Sequence, residues 1–171
     1  IQNYQIDNRV LMDRATQKSL ELTQTIRTQD REGSLLGVID QTKTPMGARL
    51  LREWVVSPLR VSTDIKYRQI GVKELFENSA LRREFRDILG NIYDMERIST
   101  KVSCARANAR DLISLKQSLS KLPALKDKLT FCITDIFVCL EQQLDVLEEV
   151  RILIGTALVP DPPPAIKDGG L

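Results

Sequence analysis

Histidine is absent from the 171 residues, which excludes Ser-His-Asp and Cys-His nucleophile systems, HExxH zinc sites and imidazole proton shuttles. Glycine is scarce. None of the eight is followed by lysine and no stretch reads GxGxxG, so neither common phosphate-binding loop is present. Aromatic residues make up only 5%, too few and too scattered to build a stacking platform for bases. The three cysteines, Cys104, Cys132 and Cys139, form no CxxC pair, and an odd number leaves no fully paired disulfide framework. This implies a reducing, cytosolic setting. Cys132 and Cys139, seven apart, are expected on one helical face, but two thiols without a third or fourth donor hold no zinc and read as buried packing residues. No apolar run approaches the roughly 20 residues that span a bilayer, and the opening IQNYQIDNR lacks signal-peptide character.

What is present is leucine and balanced charge. Apolar residues reach 42% and charged residues 28%, a mixture suited to one all-α domain with a genuine core. With 25 basic and 23 acidic residues the net charge is +2, so no domain-wide basic field calls for nucleic acid as a direct partner. The acids Asp94 with Glu96, and Glu148 with Glu149, are too close in sequence to converge on one helical face and read as solvated surface. Arg82, Arg83 and Arg86 alternate with Glu84 and Asp87, which predicts a salt-bridged helix face.

Residues 1–33 read as an extended lead-in with one short strand, closed by the turn-like TQDREG. The helical core spans 34–134. Ser34 can cap a short helix over LLGVID; Thr44 then Pro45 gives a capping hydroxyl followed by proline at the first helical position. Leu50, Leu51, Trp54 and Val55 make a buried face ended by Pro58, with Trp54 as core. Ser62 opens a helix with Ile65, Val72, Leu75 and Phe76 inward. A second follows with Leu81, Phe85, Ile88 and Leu89, and Gly90 as its C-terminal cap. Further helices run from Ile92 to Cys104 and from the capping Asn108 to Pro123. Ile136, Leu140, Leu144, Leu147, Ile154 and Leu158 keep three-four spacing, predicting one long lever-like helix over 135–160, ended by consecutive prolines; 161–171 is a Pro/Gly-rich exit. The fold expected is an irregular multi-helix bundle with an extended N-terminal lead-in.

The blocks MDRATQKSLELTQTIR (12–27), GSLLGVIDQTKTPMGARLLREWVVSPL (33–59), YDMERISTKVSCARANARDLISLKQSL (93–119) and ALVPDPPPAIKDGGL (157–171) resemble consecutive blocks of the bacterial MutS family, in order, over nearly the whole chain. The most specific piece is TPMGARLLREW, followed by DMER. The resemblance implies the first half of the helical core, joining a connector domain to lever helices that lead, through AIKDGGL, toward a DNA clamp. Its motif residues Thr44, Pro45, Met46, Gly47, Arg49, Leu50, Trp54 and Pro58 read as a structural joint, with no catalytic, cofactor-binding or metal-binding residue assigned. For the parent the resemblance implies a cytoplasmic, DNA-associated, DNA-dependent ATPase of mismatch repair. It would use ATP/ADP and Mg, bind mismatched double-stranded DNA, and signal to a MutL-like protein. This chain lacks both the mismatch-reading motif and the ATPase segment, and is expected to be a non-enzymatic segment packed against other MutS domains, with no cofactor of its own and no membrane partner. An apolar stripe on the long helix implies self-association of the isolated segment. Against this stand a free-standing helical adaptor for partner proteins and an enzyme using carboxylates alone.

Overall fold

A computed structural model describes residues 8–163, and within them the chain is all-helical, with ten helices. They are α1 (Arg14–Ser19), α2 (Leu35–Ile39), α3 (Pro45–Val56), α4 (Ser62–Glu77), α5 (Ser79–Leu89), α6 (Met95–Ser103), α7 (Ala109–Leu119), α8 (Leu122–Leu129), α9 (Asp135–Gln143) and α10 (Glu148–Ala157). The chain divides into two compact units, the first ending at Val72 and the second starting at Lys73.

In the first unit, local side-chain chemistry sets the helix starts. Asp13, Ser34 and Thr44 each accept the backbone N–H three residues on, satisfying donors that the first turn would leave unpaired. The lead-in is more structured than expected, because residues 14–19 form α1. Its extended part is represented among the described residues by the isolated antiparallel bridge between Arg9 and Leu59. The N–H groups of Leu35 and Leu36 donate to the carbonyls of Glu21 and Leu22, pinning the start of α2 to the segment that follows α1.

In the second unit α5, α8 and α9 close around Leu81, Phe85, Leu129 and Cys132, with Leu75, Leu125, Phe137 and Leu144 packed against them. The Phe85 and Phe137 rings are stacked with centroids 6.4 Å apart. Around α7, which packs with α6, α8 and α10, Ile98, Leu119, Leu122 and Ile154 are buried. The wholly buried Ser118 hydroxyl accepts from the Tyr93 N–H and donates to the Ser114 carbonyl, so it carries no unmet polar group. Asn108 and Asp111 form a reciprocal capping box at the start of α7, and Lys101 pairs with Asp111.

Several expectations are corrected. The long helix expected over 135–160 is two helices, α9 and α10, separated at Leu144–Leu147. Lys126 Nζ donates to the Leu144 carbonyl, Asp145 accepts the Leu147 N–H, and Leu147 adopts φ +50°; these interactions end the ladder although no proline or glycine interrupts the pattern. Pro123 does not end the preceding helix, since α7 stops at Leu119 and the proline lies in the first turn of α8, where its missing N–H costs nothing. In α4, Val72 (69% exposed) and Phe76 (77%) face outward.

Gly90 ends α5 with an ordinary right-handed φ of −62°. Arg82 donates to the carbonyls of Leu75 and Phe76 at the end of α4, and Glu84 pairs across to Lys128, so that face is tied to its neighbours. Asp94 is no idle surface acid but the N-cap of α6. Cys132 lies buried in the α8–α9 loop while Cys139 is exposed on α9, so the two do not share a helical face. The exit segment 161–171 is described only to Pro163; AIKDGGL lies outside the described residues.

Candidate functional site

The motif residues concentrate on α3 and the turn after it, within the first unit. Thr44 Oγ1 accepts the Gly47 N–H at 3.0 Å, and Pro45 occupies the start of the helix. A Cβ on Gly47 would stand 3.0 Å from that same hydroxyl and 3.6 Å from Thr42 Cβ, so the motif's glycine leaves room for the capping side chain. Met46 and Pro58 are half-buried, whereas Pro45, Arg49 and Leu50 are exposed, Leu50 by 46%. No α3 residue is fully buried. The expected buried face is therefore a half-covered one.

Trp54 is the centre of a knot that spacing alone does not show. The Arg68 guanidinium carbon lies 3.8 Å from the indole centroid, a cation held against the ring face. Arg9 pairs with Glu53 at 3.1 Å and donates to the Ser57 carbonyl at 2.9 Å. Two backbone bonds, Val10 N–H to the Pro58 carbonyl and Arg60 N–H to the Asn8 carbonyl, fasten the lead-in to the turn. Asn8 also donates to Asp64. Burial, and then the neighbouring Arg9 charge, pull the Arg68 pKa below its ordinary value against the opposing pull of Asp64 and Glu53. Arg9, Glu53 and Arg68 are thus the residues of this knot that sequence reasoning missed. The only signal available was charge on both sides of the tryptophan, and nothing in that pattern pairs residue 9 with residue 53.

This arrangement sets Arg68 of α4 against the Trp54 ring and the lead-in against Glu53 and the turn after α3, and presents no nucleophile with a base beside it. Among the described residues no group of three or more His, Cys, Asp or Glu side chains could hold a metal ion, and no helix is long and apolar enough to cross a membrane.

Among the described residues the fold defines an all-helical domain. The family described as MutS domain III matches residues 15–171. Among curated relatives, the DNA mismatch repair protein MutS of Acetivibrio thermocellus is 44% identical over 98% of this chain and 19% of its own length. The proteins of the same name from Clostridium tetani and Halothermothrix orenii are each 42% identical over 99% and 100% of the chain. The chain belongs to the MutS family, in its domain III, and spans about a fifth of the length of these relatives.

Proposed function

We propose that this chain is the structural core and lever segment of a DNA mismatch-repair protein, coupling an ATPase domain to a DNA clamp and performing no catalysis itself. The observation that carries this reading is the match to MutS domain III over residues 15–171, with relatives that share one printed name, DNA mismatch repair protein MutS. It favours a mismatch-repair role over a free-standing adaptor. ATP or ADP with Mg, mismatched duplex DNA and a MutL-like protein would then act through other segments of the parent, in the cytoplasm and on DNA.

The Thr44-to-Pro58 motif serves as the joint of that coupling, a reading supported by Arg68 of α4 lying against Trp54 and by the lead-in being fastened to Glu53 and the turn after α3. Of the stripe Leu140, Leu144, Leu147, Ile154 and Leu158 expected to drive self-association of the isolated segment, Ile154 is buried and Leu144 packs on the core, so only Leu140 and Leu147 stay exposed to serve it.

The test is made in the parent protein with Trp54→Ala and Arg68→Ala together. Mismatch-stimulated ATP hydrolysis should fall at least about fivefold while the unstimulated rate stays within about twofold, as expected when a coupling free energy is removed and a catalytic site is spared. Equal losses in both rates, or no change in either, would overturn the coupling role. Calorimetry on the 171-residue chain should give no saturable ATP isotherm.

A further inference from the structure

Beyond α10 the chain lies back along α7. Leu158 closes α10 in an extended conformation, φ −127° and ψ 142°, and Pro162 beyond it is wholly buried. The Arg110 Nε–H donates to the Pro162 carbonyl at 3.1 Å, a contact spanning 52 residues of sequence. Gly155 lies against the Lys116 side chain and Pro162 against Arg110, so the contacts advance along α10 while they step back along α7. The strap over 159–163 therefore ends beside the first turn of α7.

That strap, Val159-Pro160-Asp161-Pro162-Pro163, has little backbone freedom of its own. Each proline fixes its φ, and the residue before a proline is held out of the helical region, which restrains Val159, Asp161 and Pro162 as well. A segment this stiff moves as one piece, pivoting where α10 ends, and an anchor beyond the pivot decides where it points. Its buried side chain and its charge-assisted hydrogen bond fall on the same residue, Pro162.

Arg110 does nothing for its own helix. It is the second residue of α7, where a cation opposes the helix dipole and where Asp111 supplies the acid that the dipole and the capping box favour. The strap, and not α7, accounts for an arginine at this position.

We propose that Arg110 is a positioning residue: it latches the strap to α7 and so fixes the direction in which the chain leaves the bundle at Pro163. The functional half of this inference rests on the coupling role, since a push that enters or leaves α10 passes through the strap, and a strap free to pivot would dissipate it.

The 171-residue chain is compared with Arg110→Met, which keeps a long stem without a donor, and with Arg110→Lys, which keeps a charged donor. The Asp161 amide, set between two prolines, reports on the strap by NMR relaxation. Its order parameter should be about 0.85 in the wild type, fall below about 0.6 in Arg110→Met and stay above about 0.7 in Arg110→Lys. The melting temperature of Arg110→Met should stay within about 4 °C of wild type, because loss of the latch is set against relief of the helix dipole. An unchanged order parameter in Arg110→Met would overturn the latch, packing of Pro162 alone then holding the strap. Should that variant not fold, the wild-type arginine Nε–H signals decide: Arg110 should exchange with water at least about tenfold more slowly than the exposed Arg83, and equal rates would overturn the latch. In the parent protein Arg110→Met should lower mismatch-stimulated ATP hydrolysis at least about threefold and leave the unstimulated rate within about twofold, with Arg110→Lys restoring the stimulated rate. A loosened strap with an unchanged stimulated rate would overturn the part of Arg110 in coupling if Trp54→Ala with Arg68→Ala still lowers that rate. If that pair has no effect either, the coupling reading itself has failed.

Discussion

Glu74 caps α9 from a different helix by way of Thr134: its Oε2 accepts the Thr134 hydroxyl at 2.5 Å and the Thr134 N–H at 3.1 Å, while Oε1 accepts the Ile133 N–H at 2.6 Å. Thr134 is the N-cap residue of α9 yet makes no side-chain cap bond to its own helix; its hydroxyl and N–H, with the Ile133 N–H, donate instead to Glu74, so an anion 60 residues away anchors the entry to α9.

Glu74→Gln keeps the shape but sets an NH2 donor where only acceptors are wanted, and should cost about 1–2 kcal/mol in urea melts at neutral pH. Partial burial pushes the Glu74 carboxyl up, and the bonds from the Thr134 hydroxyl and the Ile133 and Thr134 N–H groups more than offset this, leaving it below the ordinary 4.5. A depressed folded value means the contribution is complete above 4.5 and disappears as pH falls through the folded value. The difference between wild type and Glu74→Gln should therefore shrink in melts at pH 3.

Trp54→Ala should destabilise by about 2 kcal/mol, less than the 3–5 kcal/mol of a fully buried aromatic, since the ring is only half covered. A double-mutant cycle with Arg68→Ala should return a coupling of about 0.5–2 kcal/mol. Additive losses would mean that the stacked geometry contributes nothing.

Gly37 lies where a Cβ would stand 2.1 Å from the Arg31 carbonyl oxygen, a backbone atom that cannot swing aside. Gly37→Ala should cost at least about 2–3 kcal/mol despite the better helix propensity of alanine, the α2 turn having to move bodily. Gly155→Ala is the control, because its Cβ would meet only the flexible end of Lys116; it should be neutral or stabilising by up to about 1 kcal/mol.

Leu147 holds a left-handed backbone at φ +50°, a conformation that costs a side-chain-bearing residue about 1 kcal/mol. Leu147→Gly relieves that strain and should leave stability unchanged or raised in thermal melts. In an unbroken helix the same substitution would lower stability by about 1 kcal/mol, so the sign separates the two structures.

Cys132 has its thiol pushed up to about 11 by burial and, second, by the Glu74 carboxylate. Against the ordinary thiol value of 9.0, this reduces its thiolate about a hundredfold at neutral pH. Disulfide-reagent kinetics should show Cys104 and Cys139 reacting freely and Cys132 waiting for unfolding.

Some helix starts were legible from a cap beside the helix it caps, but Asp13 and Asp94, caps just as local, were missed. Ser34, Thr44 and Asn108 were all readable, since a capping hydroxyl or amide bonds a backbone N–H three residues on. Helix ends set by distant groups were not. Leu140, Leu144 and Leu147 continue a helical period straight through the α9–α10 break, and only the fold brings Lys126 to the Leu144 carbonyl. The joint motif could be located from its residues, but Arg9, Glu53 and Arg68 meet across stretches of chain that no local pattern links. Val72 and Phe76 match an inward helical spacing yet lie outward, because periodicity says which residues share a face and not what covers that face.

The break at Leu144–Leu147 decides how a push along α10 is carried. A continuous helix would pass axial load down its own hydrogen-bond ladder as a stiff strut. Here α10 rests along α7 while α9 rests on α8, so the load leaves sideways through packed side chains before it reaches the rest of the bundle. Under the proposed lever role, the compliance of the segment would then be set by the α7–α10 seam, where buried Ile154 lies and where Gly155 meets the stem of Lys116. Filling or emptying that seam would tune stiffness without touching either end of the path.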